Sequence, residues 1–539
     1  MSDTKKLIYS VRTISGCTFL SRILGLARDI VCASIFGTGI VWDAFTVAFK
    51  IPNLFRRLFG EGALSAAFIP VFTEHIEKHG KTEAWKFVNI VATLLIIILG
   101  GIVLIGEGSF FAIPKLFNIH EKWQLIFKLL VIMFPYVFFI CLVAFMGAIL
   151  NTVRHFFIPA FAPMILNICW IFGAFLSFYT GNTIDKMIFT VAIAIFFSGM
   201  IQMCIHLPFL KQNGFRYRPS LQFSHPSLKL IFTRMAPIVF GLAIVQFNVL
   251  LDSIIAVGFA STHEGQNSIS FAGINLHFPM KAGAASVLYY SDRLIQFPLG
   301  VFGVAMATAV FPFFSTHAAR EDWENFSLTF NKALKFILFI GVPASIGIII
   351  LREPIVDLIY KRNQFDTESA LRTSRVILFY AIGIWAYCGL HVLIRAFYSL
   401  KDTVTPVKIG ALCVCLNLVL NVSLIWVLQE GGLALSTAIS AIIQIIILTI
   451  ILQKKLLIKI QKEVFVSLVK TIIASFAMAF AGFLTLKLLP VSDDNNTLYF
   501  KGIRLFIPMF ASGAMFAGTS ILIKSEDFKN LVKLILKKS

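Results

Sequence analysis

Apolar residues fall along this chain in runs of about twenty, separated by short polar connections. A run of that length crosses the roughly 30 Å apolar core of a bilayer as a helix. Window hydropathy predicts about fourteen such segments, near 9–36, 42–60, 85–107, 125–150, 158–180, 184–210, 229–258, 285–311, 328–351, 373–399, 405–428, 432–453, 464–489 and 501–523. The expected fold class is an all-α polytopic membrane protein. Three segments break the apolar pattern. In the first, Ser15, Thr18, Arg22, Gly25 and Asp29 recur at helical spacing and share one stripe, bordered by Ser21 and Arg28. In the second, Asp43, Thr46, Lys50, Asn53 and Arg57 repeat that pattern beside Arg56, and in the eighth Ser286, Tyr289, Arg293, Gln296 and Gly300 do so beside Asp292.

Charge inside a membrane segment costs at least about 2.5–3.5 kcal/mol per residue at the helix centre. Sequences keep it where it faces an interior pathway. Here the cations outnumber Asp29, Asp43 and Asp292, so a cavity lined by these stripes would be net positive and suit an anion. Arginine favours phosphate, because its planar fork donates two parallel hydrogen bonds and stays charged when desolvated. The competing arrangement is internal pairing: Arg22 with Asp29, Lys50 with Asp43, and Arg293 with Asp292. Arg56 and Arg57 fall near a membrane surface, where a plain topogenic role is open to them. Gly16, Gly25, Gly37 and Gly39 flank the first stripe and permit either bending or close helix packing.

Composition agrees with the pattern. The 539 residues are 58% hydrophobic and 14% charged, against about one quarter charged in soluble proteins. No large soluble domain fits. The net charge of +20 follows from basic residues on alternate connections, including Lys5, Lys6, Arg154, Lys211, Lys401, Lys454 and Lys455, with fewer on the other side, such as Lys115, Lys122, Lys361, Arg362 and Arg372. That asymmetry places both termini in the cytoplasm and removes the reason to invoke nucleic acid. The first segment carries Arg22 and Arg28 and reads as a retained helix rather than a cleaved signal. The eight cysteines lie in apolar segments without a CxxC pair, as packing residues do.

An internal repeat relates 43–90 to 286–336. Each has a charged helix, a proline, a Gly/Ala-rich stretch, then (I/F)-P-x-F-(T/S) and a polar connection. A weaker echo links 148–167 with 396–417. The six-helix offset predicts two pseudo-symmetric six-helix lobes, 1–220 and 221–457, with helices 13 and 14 and a basic tail at 458–539. Repeats of this kind place a substrate site between lobes. The polar stretch 259–284 reads as an outer loop, either a lid or an insertion. The tail beyond Ile523 reads as a membrane-surface helix. A second polar set, Asp252, Asn417, Asn421 and Thr437, offers a carboxylate, amide oxygens and a hydroxyl, suited to Na⁺, to a proton, or to interhelical hydrogen bonds.

The runs SRILGLARD (21–29), WDAFTVAFKIPNLFRRLFGEGALSAAFIPVF (42–72), YYSDRLIQFPLGVFGVA (289–305) and FYSLKDTVTPVKI (397–409) resemble the MurJ/MviN lipid II flippases of the MOP exporter superfamily. The resemblance covers nearly the whole chain. It implies fourteen helices in two lobes, with the last two helices forming a groove for a lipid tail. It implies transfer of undecaprenyl-diphosphate-linked disaccharide-pentapeptide from the inner to the outer leaflet of a bacterial inner membrane, for peptidoglycan synthesis. By motif, Arg22, Arg28, Arg56, Asp43 and Arg293 match the family's cavity residues. Lys50, Asp29 and Ser21 complete the expected substrate-binding set. Some relatives carry an acid where this chain has Gln296. The family's Na⁺ site resembles Asp252, Asn417, Asn421 and Thr437, with Asn421 in place of an acid. Membrane lipids and cell-wall synthesis proteins are the further partners implied, and Na⁺ or the membrane potential the implied coupling.

Three rival functions fit less well. A drug exporter of the same superfamily calls for an acidic, aromatic cavity. A membrane enzyme acting on polyprenyl-phosphate sugars needs clustered acids or histidines, whereas here the acids are scattered beside arginines and the ten histidines are dispersed. A non-transporting scaffold would have no use for the intact arginine set. A flippase for another polyprenyl-diphosphate-linked glycan remains the alternative substrate reading.

Overall fold

The computed structural model describes residues 3–59, 64–117, 119–222, 226–261, 268–271, 274–457, 459–489 and 497–536. Its helices are α1 (Asp3–Phe36), α2 (Ile40–Leu58), α3 (Leu64–Leu116), α4 (Glu121–Met133), α5 (Tyr136–Thr152), α6 (Phe157–Thr180), α7 (Ile184–Gln212), α8 (Pro226–Gly258) and α9 (Ala284–Pro298). They continue as α10 (Ala305–Ala319), α11 (Trp323–Ile359), α12 (Thr367–Ile382), α13 (Ile384–Ser399), α14 (Val404–Leu428), α15 (Glu430–Leu456), α16 (Lys462–Leu488), α17 (Leu498–Leu522) and α18 (Glu526–Leu536). A π-helical segment, Leu299–Val304, joins α9 to α10.

Each predicted span meets a helix or a bent helix pair. Among the described residues ten helices are long and apolar enough to cross a membrane, up to twelve with the bent pairs. The helices on the first two predicted spans, α1 and α2, are not among them. Their charges are the reason: α2 carries Asp43, Lys50, Arg56 and Arg57 in 19 residues. The bent pairs are α4 with α5 and α12 with α13, each turning by 44°. Pro135 makes the first bend, because it removes a backbone donor and clashes with the preceding turn. The second falls at Gly383, where a Cβ would lie 2.7 Å from Tyr387 Cζ. These are the fourth and tenth predicted spans, so the bend recurs at the six-helix offset of the repeat. Helix α3 is broken at Gly80, with φ of 77°, which separates the polar connection of the repeat from the apolar span that follows.

The all-α class holds, with one short hairpin beside the helices. Within the 259–284 stretch, β1 (Ser268–Phe271) pairs antiparallel with β2 (Ile274–His277), Phe271 opposite Ile274. Alternating Ile and Phe with polar residues favours a short strand over a helix here. Residues 262–267 and 272–273 of that stretch lie outside the described residues.

The chain forms two compact units. One runs from Met1 to Val257, and the other holds Gly258–Ser261 and the chain from Gly265 onward. Contact density thus divides the chain after α8, whereas the sequence echo divides it before that helix. In the first unit α1 packs on α6, α6 on α7, and α5 on both α3 and α7. Apolar burial does not drive association between helices in lipid, so close packing must. Gly199 lets α7 approach α5: a Cβ there would lie 2.7 Å from the Tyr136 ring. Phe36, Trp42 and Phe45 stack in series, and Trp170 stands edge-on to Phe45. In the second unit α16 packs on α17 and α11, α14 on α15, and α12 on α9, α11 and α15.

Outside the spans, the connection before α14 is set by Asp402. It accepts from the Thr405 backbone amide at 3.0 Å and hydroxyl at 2.8 Å, and from Lys455 Nζ at 2.6 Å. Burial pushes this carboxyl up, but Lys455 and Thr405 outweigh it and hold it at about 2. A depressed carboxylate stabilises the fold above its ordinary pKa and loses that contribution as pH falls through its folded value. The wild type should therefore melt above Asp402→Asn at pH 6, with the gap closing between about pH 4 and about pH 2. Thermal unfolding in detergent measures it, and a pH-independent gap would contradict the assignment.

Candidate substrate-binding residues

The first unit holds most of the predicted set, and α6 organises it. Arg28 and Asp29 near the end of α1 are 4% and 3% exposed. Arg28 donates to Asp29 Oδ1 from Nε at 2.9 Å and from Nη2 at 2.7 Å, and to Asn167 Oδ1 from Nη1 at 3.0 Å. Its guanidinium lies 4.2 Å over the Trp170 ring, a geometry worth about 0.5–2 kcal/mol. Asn167 in turn donates through Nδ2 to the Ser21 carbonyl at 3.1 Å, with the Ser21 hydroxyl at 3.5 Å. Gly25 faces the same amide: a Cβ there would sit 3.8 Å from Asn167 Nδ2. Gly37, at φ 58°, ends the helix in the left-handed region. Arg22 is exposed, and Asp29 bonds Arg28, its chain neighbour, in the pairing considered for Arg22.

Helix α2 places its cations on α8. Lys50 Nζ donates to Ser253 Oγ, and Arg57 Nη1 to Gln246 Oε1 at 3.2 Å. Seven residues separate the two positions on each helix, with opposite sequence sense, so long side chains bridge two antiparallel helices. Arg56 donates to Asn53 Oδ1 at 2.9 Å on its own helix. Asp43 is buried. Lys122, read from sequence as a connection charge, is itself buried in the first turn of α4 and donates to the Val257 carbonyl at 2.7 Å.

In the second unit Arg293 is half-buried on α9, with Nη2 3.3 Å from the Tyr289 hydroxyl and its guanidinium 5.1 Å from the Tyr289 ring centroid. Asp292 does not take Arg293, the partner that the competing arrangement would give it. It accepts from Gln296 one turn later. Residues 292 and 296 are one turn apart and share a face of the helix. Asn421 Nδ2 donates to Asn417 Oδ1 at 2.9 Å, Asn417 Nδ2 to Thr437 Oγ1 at 3.4 Å, and Thr437 Oγ1 to the Leu433 carbonyl at 3.0 Å. These three neutral side chains form a hydrogen-bond chain between α14 and α15. A hard cation takes about six oxygens and favours carboxylates. Asp252, the carboxylate of the expected Na⁺ set, lies on α8.

A family model described as "Lipid II flippase MurJ" matches residues 32–493. The chain belongs to the MurJ lipid II flippase family. It is 34% identical over 463 residues to a probable lipid II flippase MurJ of Vibrio cholerae, covering 83% of this chain and 82% of that protein. It is 31% identical over 522 residues to a probable lipid II flippase MurJ of Buchnera aphidicola, covering 94% and 95%. Among solved structures it resembles a lipid II flippase MurJ in an inward closed conformation, with a TM-score of 0.75 and 27% identity over 96% of this chain and 99% of that one. An inward-facing multidrug resistance MATE transporter of the MOP superfamily shares the fold at a TM-score of 0.62 and 14% identity, over 83% of this chain and 98% of that one. This MurJ family member is thus a multi-pass protein of the bacterial inner membrane, in a family of transporters.

Asn167 and Trp170 escaped the sequence reading, which looked for charge. A signal was present: an amide within an apolar span, three residues from a tryptophan on the same helical face. Gln246 and Ser253 carried a similar signal in their spacing of seven.

Proposed function

We propose that this protein flips lipid II, the undecaprenyl-diphosphate-linked muropeptide, from the inner to the outer leaflet by alternating access, with both termini in the cytoplasm. The observation that supports this most is the family match over residues 32–493, on a chain that keeps Arg22, Arg28, Arg56 and Arg293 in polar helical stripes. The inward-open carrier would capture the diphosphate on these arginines, whose forked donors suit phosphate oxygens. Neutralised charge would let the carrier close and reopen outward, while the polyprenyl tail stays in lipid or along α16 and α17. Return would draw on the membrane potential, a cation or both.

Complementation tests it. The chain is expressed in a bacterium depleted of its own lipid II flippase, and purified protein is assayed in proteoliposomes carrying lipid II, with Na⁺ and potential varied. Growth rescue and lipid II translocation are expected. A well-inserted wild type that rescues neither would move the reading to another polyprenyl-diphosphate-linked glycan.

A further inference from the structure

Helix α9 carries Arg293, and its start is held by one arginine from another helix. The chain enters α9 through Gly283, at φ 88°, a left-handed conformation that side chains resist. Just before it, the carbonyls of Ala282 and Lys281 accept from Arg372 of α12: Nη1 to Ala282 at 2.7 Å and Nη2 to Lys281 at 3.3 Å. The same guanidinium donates through Nε to Glu430 Oε1 at 2.7 Å. Its planar fork is thereby spent on two segments far apart in sequence.

Glu430 is a fixed anchor. It is buried and begins α15, where the helix dipole favours an acid. The next two residues leave no slack. A Cβ on Gly431 would lie 2.6 Å from the Phe379 ring of α12, and one on Gly432 2.6 Å from the Leu424 carbonyl of α14. The neighbouring ion pair, Lys281 with Glu368, is exposed at both ends and contributes little.

The roll of α9 is set from this same side. Ser291 Oγ donates to the carbonyl of Thr373, the residue after Arg372, at 3.1 Å. The Tyr290 ring packs 5.0 Å from Tyr360 and 5.4 Å from Phe365. Tyr289 and Arg293 share the adjacent face. Beyond Pro298 the π-helical turn shifts the residue angle.

We propose that Arg372, fastened by Glu430, is a positioning residue for transport: it fixes the start and roll of α9 and so aims Arg293. This rests on the transport reading above. An ion pair kept for stability alone is replaceable by apolar residues of similar size. One kept to hold the Lys281 and Ala282 carbonyls is not, because the donor is lost.

The test compares Arg372→Met/Glu430→Leu with wild type, full-length and in proteoliposomes. Thermal unfolding, lipid II translocation and hydrogen exchange across 281–293 without substrate are measured. We expect near-wild-type melting, faster exchange, and translocation lowered by at least about tenfold. Arg372→Ala combined with Arg293→Lys should be non-additive, since both act through one guanidinium. Wild-type translocation in the apolar double variant, or faster exchange with translocation unchanged, would overturn the proposal. If the wild-type chain translocates nothing, the transport reading fails, and exchange alone decides whether Arg372 holds α9.

Discussion

Arg28→Ala is expected to abolish rescue of a flippase-depleted bacterium and to lower lipid II translocation by about two orders of magnitude. Two causes add. Asp29 would be left as a buried carboxylate without the guanidinium that bonds it at 2.7 and 2.9 Å, and breaking a buried pair costs about 3–5 kcal/mol. The amide of Asn167 would lose its 3.0 Å donor, loosening α1 from α6. Because part of the loss is structural, Arg28→Lys is the informative companion. It keeps the charge but cannot serve Asp29, Asn167 and the Trp170 face together. It should insert and melt near wild type yet translocate at least about tenfold more slowly. Full activity in Arg28→Lys would reduce Arg28 to a bearer of charge. Full activity in Arg28→Ala would remove it from the site.

Arg293→Ala should be the cleaner loss. Arg293 is half-buried, and Ser291, which ties α9 to the Thr373 carbonyl, lies on a different face. Removing its side chain should shift stability by no more than about 1 kcal/mol. Two charge-assisted hydrogen bonds to a diphosphate are worth about 3 kcal/mol or more together, so translocation should fall by about a hundredfold. The pair of measurements is thermal unfolding and translocation on one preparation. Melting unchanged with translocation intact would exclude Arg293 from substrate binding. A large fall in melting temperature would recast it as a structural residue.

The polar stripes were legible because helical spacing is local: Arg22 and Asp29, or Lys50 and Arg57, reveal a shared face without any knowledge of neighbours. The bends were partly legible. Pro135 announces one, whereas Gly383 looks like any glycine until Tyr387 is seen beside it. The pairings were not legible. Sequence reasoning offered Lys50 to Asp43 and Arg293 to Asp292, the nearest opposite charges. The fold joined Lys50 to Ser253, 203 positions away, and gave Asp292 to Gln296. Which polar groups reach a charge in an apolar medium depends on how the helices pack, and distance along the chain does not encode that.

By itself the sequence determined the membrane class, the helical segments, the six-helix repeat and the residues that carry charge into the bilayer. Run length, helical period and motif are properties of the chain alone. Tertiary structure decided which helices hold those charges: α6 behind Arg28, α8 against Lys50 and Arg57, α12 and α15 at the root of α9. Each depends on how two helix surfaces approach, set by glycines and aromatic rings such as Gly199 and Trp170, whose partners no spacing along the chain encodes.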